Sequence, residues 1–154
     1  MIHDDLIESD DFNSLSWRQQ SGWMRLLVRA DDQGRFKAKT TTMRAALFPD
    51  YEFTTHEMEK DLQAWTALNM VYLYNVNGKR YGQIVNWWQY QKMRWAAASK
   101  YPKPDGWQDR VRVQKGDKHI MEDWDKEGGF ANGPPTATAT ARHTASHSAP
   151  QSKY

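Results

Sequence analysis

A chain of 154 residues with 39% hydrophobic content and eight tryptophans holds apolar material for one compact core and not for two. No run approaches the roughly 18 apolar residues of a membrane-spanning helix, Met1-Ile2-His3-Asp4-Asp5 lacks the regions of a signal peptide, and the absence of cysteine excludes disulfides and thiolate chemistry; a cytoplasmic protein is expected. The net charge of +2 is unevenly spread: residues 35–48 carry four bases and no acid, residues 70–115 nine bases and two acids, while 1–34 and 49–69 are acidic, so a polyanion would meet two basic segments.

Residues 1–11 read as an N-terminal extension. A first helix is predicted from about Leu15 to Ala30, capped by Ser14 or Ser16, with Leu15, Gly22, Trp23, Leu26 and Leu27 as its apolar stripe. Asp31-Asp32-Gln33-Gly34 ends it, Gly34 supplying the positive φ of the exit turn. A short second helix covers Thr41 to Phe48 and stops at Pro49. The third has the clearest start, because Thr54-Thr55-His56-Glu57 is a capping box that Phe53 and Met58 can staple; Met58, Leu62, Trp65 and Leu68 then form its core face. Two strands follow, Met70–Val76 and Lys79–Val85, joined by Asn77-Gly78 in the manner of a type I′ hairpin and burying a face such as Val71, Leu73 and Ile84.

Three helices and then a hairpin give an α+β fold, a winged helix-turn-helix with a three-helix core and a β-hairpin wing. The domain is expected over residues 12–104, including a tryptophan-rich helix from about Trp88 that ends at Tyr101-Pro102-Lys103-Pro104. Residues 105–127 read as a basic arm, with Arg110 and Arg112 on one side of an extended segment, followed by a short amphipathic piece. That piece, Ile120–Trp124, is either a docking helix for a partner or a segment packed back on the domain. From 128 to 154, the Gly-Gly, Pro-Pro and Thr-Ala composition predicts a disordered low-complexity tail. His143 and His147 lie in it four apart, without a third metal ligand nearby.

The stretches Leu26–Phe36, Ala46–Pro49, Tyr74–Tyr81 and Ile84–Trp87, with Gln91 shortly after, resemble the N-terminal winged-helix domain of phage replication initiation proteins, or replisome organisers. The resemblance spans about residues 10 to 104 and rests on the number and order of short motifs. It implies binding of origin DNA at the start of phage or prophage DNA replication, and recruitment of the host replicative helicase or its loader through a C-terminal part.

Duplex DNA is the expected partner. Lys79 and Arg80, just past the hairpin turn, are placed to reach phosphates, although exposed cations also protect edge strands. Arg35, Lys37, Lys39 and Arg44 are expected near the start of the second helix, where Thr40, Thr41 and Thr42 add hydroxyls at a helix N-terminus that favours phosphate. On the third helix, Thr55, His56, Lys60 and Gln63 can reach bases, along with Glu59, or the helix presents a solvated acidic face. Lys92 and Arg94 alternate with Trp87, Trp88, Tyr90, Trp95 and Tyr101, a pattern that serves base stacking or core packing. No nucleophile elbow, phosphate loop, zinc motif or metal-spaced carboxylate cluster occurs, and Asp31-Asp32 reads as a helix exit. No enzyme, cofactor, metal site, small-molecule substrate or membrane association is therefore expected. The alternatives are a winged-helix transcriptional regulator of phage or prophage origin and a protein-interaction adaptor.

Overall fold

The computed structural model describes residues 5–135. His143, His147 and the Thr-Ala run lie outside them, as do residues 1–4. Two helical turns come first, α1 (Asp5–Glu8) and α2 (Asp10–Ser14), the second capped by the Ser9 hydroxyl, which accepts from the Phe12 amide. Leu6, Phe12 and Leu15 are buried, so Leu6 anchors the described part of the N-terminal extension on the core, while Ile7, Glu8, Asp10 and Asp11 stay exposed. In α3 (Trp17–Arg29) Ser16 rather than Ser14 is the cap. Ser16 Oγ accepts from Gln19 N at 3.2 Å and Ser16 N donates to Gln19 Oε1 at 3.1 Å, a reciprocal box that the sequence carries and that contributes about 1 kcal/mol. Gly22, Trp23, Leu26 and Leu27 form its buried face. The absent side chain of Gly22 matters there, since a Cβ would stand 3.0 Å from the Trp65 ring.

Gly34 has the expected left-handed φ of 80° and turns the chain into a three-residue strand, β1 (Arg35–Lys37), too short for its sequence to announce. The next helices are α4 (Thr40–Leu47) and α5 (Thr55–Ala67); in α5 the Thr54/Glu57 box forms as read. Met58, Leu62 and Trp65 of α5 are fully buried. The hairpin of β2 (Val71–Val76) and β3 (Lys79–Ile84) turns at Asn77 and Gly78, both with positive φ, as a type I′ turn requires. Strand β1 joins it in an antiparallel sheet of order β1-β3-β2, with Arg35 opposite Gln83 and Val71 opposite Ile84. Alternation sends Phe36, Val71, Leu73 and Ile84 to the helices. It sends Tyr72, Tyr74, Tyr81, Gln83 and Arg35 to the other side of the sheet.

That other side is covered, and here several expectations change. The tryptophan-rich helix does not run to Tyr101: α6 (Trp87–Tyr90) is a single turn, and Gln91 is already extended. Tertiary pairing outcompetes helix propensity in the segment beyond, where Ala96 forms a β-bridge with Arg112 and the Ala97 amide donates to the Asp32 carboxylate at 2.9 Å. The basic arm is a second sheet region. It comprises β4 (Trp107–Gln108), the hairpin of β5 (Val111–Lys115) and β6 (Lys118–Glu122), and β7 (Gly129–Phe130), which pairs with β4. Ile120–Trp124 is accordingly strand and turn, not a docking helix. Residues 128–135, expected in the disordered tail, are ordered up to and beyond this last pair. Gly128 and Gly129 have φ of 77° and 87°, and a Cβ on Gly128 would lie 2.6 Å from the Trp88 ring, so close approach explains a glycine that composition suggested was a disorder signal.

Buried polar groups tie this C-terminal segment to the sheet. Gln33, fully buried, donates from Nε2 to the carbonyls of Ala97 (2.8 Å) and Arg110 (2.6 Å), and its Oε1 accepts from the Arg110 amide. The Ser99 hydroxyl donates to Asp31, and the Tyr74 hydroxyl donates to the Pro102 carbonyl at 2.6 Å. The Asp31–Gly34 exit turn is therefore also the clasp of the C-terminal layer.

Candidate nucleic-acid interface

At the hairpin end of the sheet, three lysines and a helix N-terminus converge. Lys37 ends β1, Lys79 begins β3, and Lys39 is the N-cap of α4; all three are exposed. The Ala38 amide, between the first and last of these elements, donates to the Arg80 carbonyl at 2.9 Å and so draws the start of α4 against the β2–β3 hairpin. Lys37, Ala38, Lys39, Thr40, Gly78, Lys79 and Arg80 enclose one open hollow of about 470 Å³. Lys39 makes no side-chain cap to α4, and the exposed Thr41 and Thr42 follow on its first turn, leaving the positive end of the helix dipole turned toward the same hollow.

Arg80 belongs to the hollow but is not a free cation. Its position in β3 points it to the helix side of the sheet, where Nε donates to the Ala38 carbonyl at 2.9 Å and the guanidinium forks onto Glu59 of α5 at 2.6 and 3.0 Å. The Arg80 hydrogen bond, helped by Gln63 and Thr40, holds the Glu59 carboxyl down at about 2 against the opposing effect of burial. The other two acids on this part of α5 are also paired. Arg18 of α3 makes two bonds to Asp61, at 2.9 and 2.7 Å, and one to Glu57 at 3.2 Å. Asp61 is fully buried, and its hydrogen bond raises the Arg18 pKa.

The acidic reading of the third helix changes in consequence. Glu57, Glu59 and Asp61 are each matched by a guanidinium, while Thr55, His56, Lys60 and Gln63 are exposed, the last three at helical spacings of four and three on one face. Arg18, which no sequence motif singles out, is what neutralises Glu57 and Asp61, and its 43-residue separation from Asp61 leaves no local signal.

The other cations assigned from sequence do not join this surface. Arg35 is 1% exposed and is a structural residue: it bonds to Gln83 at 2.8 Å, to the Tyr101 carbonyl at 2.9 Å and to the Asp109 carboxylate. Being opposite Gln83 on the covered side of the sheet is what removes it from any ligand. Arg44 sits in the last turn of α4, where it donates to the Tyr51 carbonyl at 3.2 Å, away from the hollow. Lys92 and Arg94 are exposed on the segment after α6, and Lys92 borders a different hollow with Trp88 and Gly128–Phe130.

The aromatic and basic alternation resolves mostly into packing. Trp87 and Trp88 are buried, whereas Trp95 is 37% exposed. Arg110 and Arg112, expected on an arm that follows a duplex, are interleaved with three of the rings. Arg112 lies 4.7 Å from the Trp95 centroid and 5.8 Å from that of Trp124, and Arg110 lies 4.5 Å from Trp124 and 5.0 Å from Trp88. This ladder fixes the β5–β6 hairpin to the turn after α6 through cation–π attraction.

Among the described residues no group of three metal-ligating side chains gathers, and no helix is long and apolar enough to cross a membrane. Searches of protein-family models, curated proteins and solved structures found no significant match to this chain.

Proposed function

We propose that the protein is a winged helix-turn-helix DNA-binding protein, which grips duplex phosphates with the hairpin wing and the start of α4 while α5 faces the major groove. The observation that carries this reading is the meeting of Lys37, Lys39, Lys79 and the uncapped N-terminus of α4 around one hollow. Helix N-termini and lysines both favour a phosphate oxyanion, and such contacts fix register without reading sequence. The internal pairing of the α5 acids supports the second half, since His56, Lys60 and Gln63 then approach base edges without an unpaired carboxylate beside them. Order of elements supports it too: helix, short strand, two helices and a hairpin, with the short strand completing the sheet. The resemblance to phage replication initiators makes origin duplexes the first targets to try, with the host helicase or its loader as the partner to follow.

The test is a salt titration of binding to phage-origin and random duplexes, comparing the parent with Lys37→Ala plus Lys79→Ala. Both substitutions are exposed and leave the Arg80–Glu59 pair in place. The expected result is weaker binding to both duplexes and a log–log salt slope reduced by roughly 0.9 for each phosphate that the protein no longer neutralises. Unchanged affinity and slope would remove the hollow from DNA binding.

A further inference from the structure

Among the described residues, the outer face of α3 carries an open apolar side chain at each end, with the partly buried Ser21 and Met24 between them. Trp17 is 86% exposed and Val28 77%, the two most exposed large hydrophobic side chains there, and both lie on this one helix. With Ser21 and Met24 they recur at spacings of four, three and four, which at 3.6 residues per turn places all four within about 60° of arc, opposite Leu26. Beside the C-terminal end of the stripe, Met24, Arg25, Val28, Ala46, Leu47 and Pro49 line a shallow hollow of about 400 Å³. Its rim is stiff: Arg25 donates to the Leu47 carbonyl at 2.9 Å and stacks on Phe48 and Tyr51 at 4.7 and 5.2 Å.

We propose that this face is the interface of a symmetric homodimer in which each Trp17 enters the hollow beside Val28 of the other copy. A two-fold interface needs a patch that complements itself, residue i meeting j while j meets i. The stripe has that property. Antiparallel pairing about the point midway between Ser21 and Met24 sets Trp17 against Val28 and Ser21 against Met24 twice over, so that large faces small at every level. Charge selects the same orientation. The approach to the N-terminal end carries exposed Glu8, Asp10 and Asp11, while Arg29 stands exposed at the C-terminal end, and Arg18 is turned inward onto Asp61. An antiparallel pair brings Arg29 toward the partner's acidic end, whereas a parallel pair would stack like charges. Arg25 at the rim also offers the incoming indole a guanidinium face. The proposal does not depend on DNA binding, and its test needs no DNA.

Sedimentation equilibrium of the full chain is expected to give a mass rising with concentration toward twice 18.0 kDa. Val28→Asp and Trp17→Ser, both at positions that contribute little to the core, are each expected to hold it at 18.0 kDa with an unchanged circular dichroism spectrum. Because the chain has no cysteine, a chain carrying Ser21→Cys mixed with one carrying Met24→Cys reports the geometry with Trp17 and Val28 intact: mild oxidation is expected to yield the mixed covalent dimer, and Ser21→Cys mixed with Gln63→Cys is not. A parent that stays at 18.0 kDa to its solubility limit would overturn the proposal, as would a dimer that survives both substitutions or fails to cross-link through the 21/24 pair.

Discussion

Arg80 leaves β3 on its helix-facing side and closes a two-bond fork on Glu59, at the middle of the exposed half of α5. The pair joins the β2–β3 hairpin to the helix that lies beside it, and Thr40 adds a third group by donating to the same carboxylate at 2.9 Å. The hairpin, the start of α4 and α5 are thereby fixed relative to one another.

An acid titration should expose this pair. The folded-state pKa of Glu59 is depressed to about 2 from an ordinary value of 4.5, so its contribution is complete above the ordinary value and is lost as pH falls through that window. The urea midpoint of Glu59→Gln is expected to lie below that of the parent at neutral pH and to converge with it toward pH 2. A constant gap between the two curves would assign the loss to packing instead.

Arg35→Met tests the separation of structural from ligand-binding cations. Removing the guanidinium leaves Asp109 and Gln83 without their charged partner, and breaking such a buried pair costs about 3 kcal/mol or more. Urea unfolding is expected to show that loss, while the salt slope of DNA binding, measured where the variant is still folded, stays at the parental value.

Two glycines with similar backbone angles have different surroundings, which makes a paired experiment possible. Gly34 and Gly78 have φ of 80° and 78°, but a Cβ at Gly34 would stand 2.6 Å from the Trp87 ring, whereas nothing lies within 4 Å at Gly78. Gly78→Ala is expected to lose only the left-handed backbone penalty, about 1–2 kcal/mol. Gly34→Ala adds an overpacking cost of about 1–3 kcal/mol, read as a further drop in thermal midpoint.

Trp124→Ala removes the shared rung of the ladder, against which both Arg110 and Arg112 lie. At about 0.5–2 kcal/mol for each of the two cation–π interactions, destabilisation by about 1–4 kcal/mol is expected. Hydrogen exchange should localise it, with faster exchange of the β5 and β6 amides and little change in β2 and β3.

What is legible in the sequence is local. The Thr54/Glu57 box, the Asn77-Gly78 turn, the stripe of Trp23, Leu26 and Leu27 and the φ of Gly34 are set by residues within a few positions of each other, and all are present. The clustering of Lys37, Lys39 and Lys79 follows from element order and a short loop. Arg35 is deceptive because its burial depends on a covering segment 66 to 74 residues further on. The acids of α5 are deceptive because Arg18 answers Glu57 and Asp61 from another helix and Arg80 answers Glu59 from a strand. The residues after Tyr90 mislead for a third reason. Their three consecutive alanines, Ala96 to Ala98, suit a helix in isolation, and only the pairing of Ala96 with Arg112 and the clasp at Asp32 select an extended path.

The clasp at Gln33 bears on how the molecule comes into being. Its side chain waits for carbonyls 64 and 77 positions downstream, so on a ribosome the helices and first hairpin emerge while Gln33 and Arg35 still face water. Closing such long loops is slow compared with forming helices and hairpins. The outer layer is thus the last to dock, and until it does, a nascent chain displays three tyrosines of an uncovered sheet, Tyr72, Tyr74 and Tyr81, to whatever chaperone is nearby.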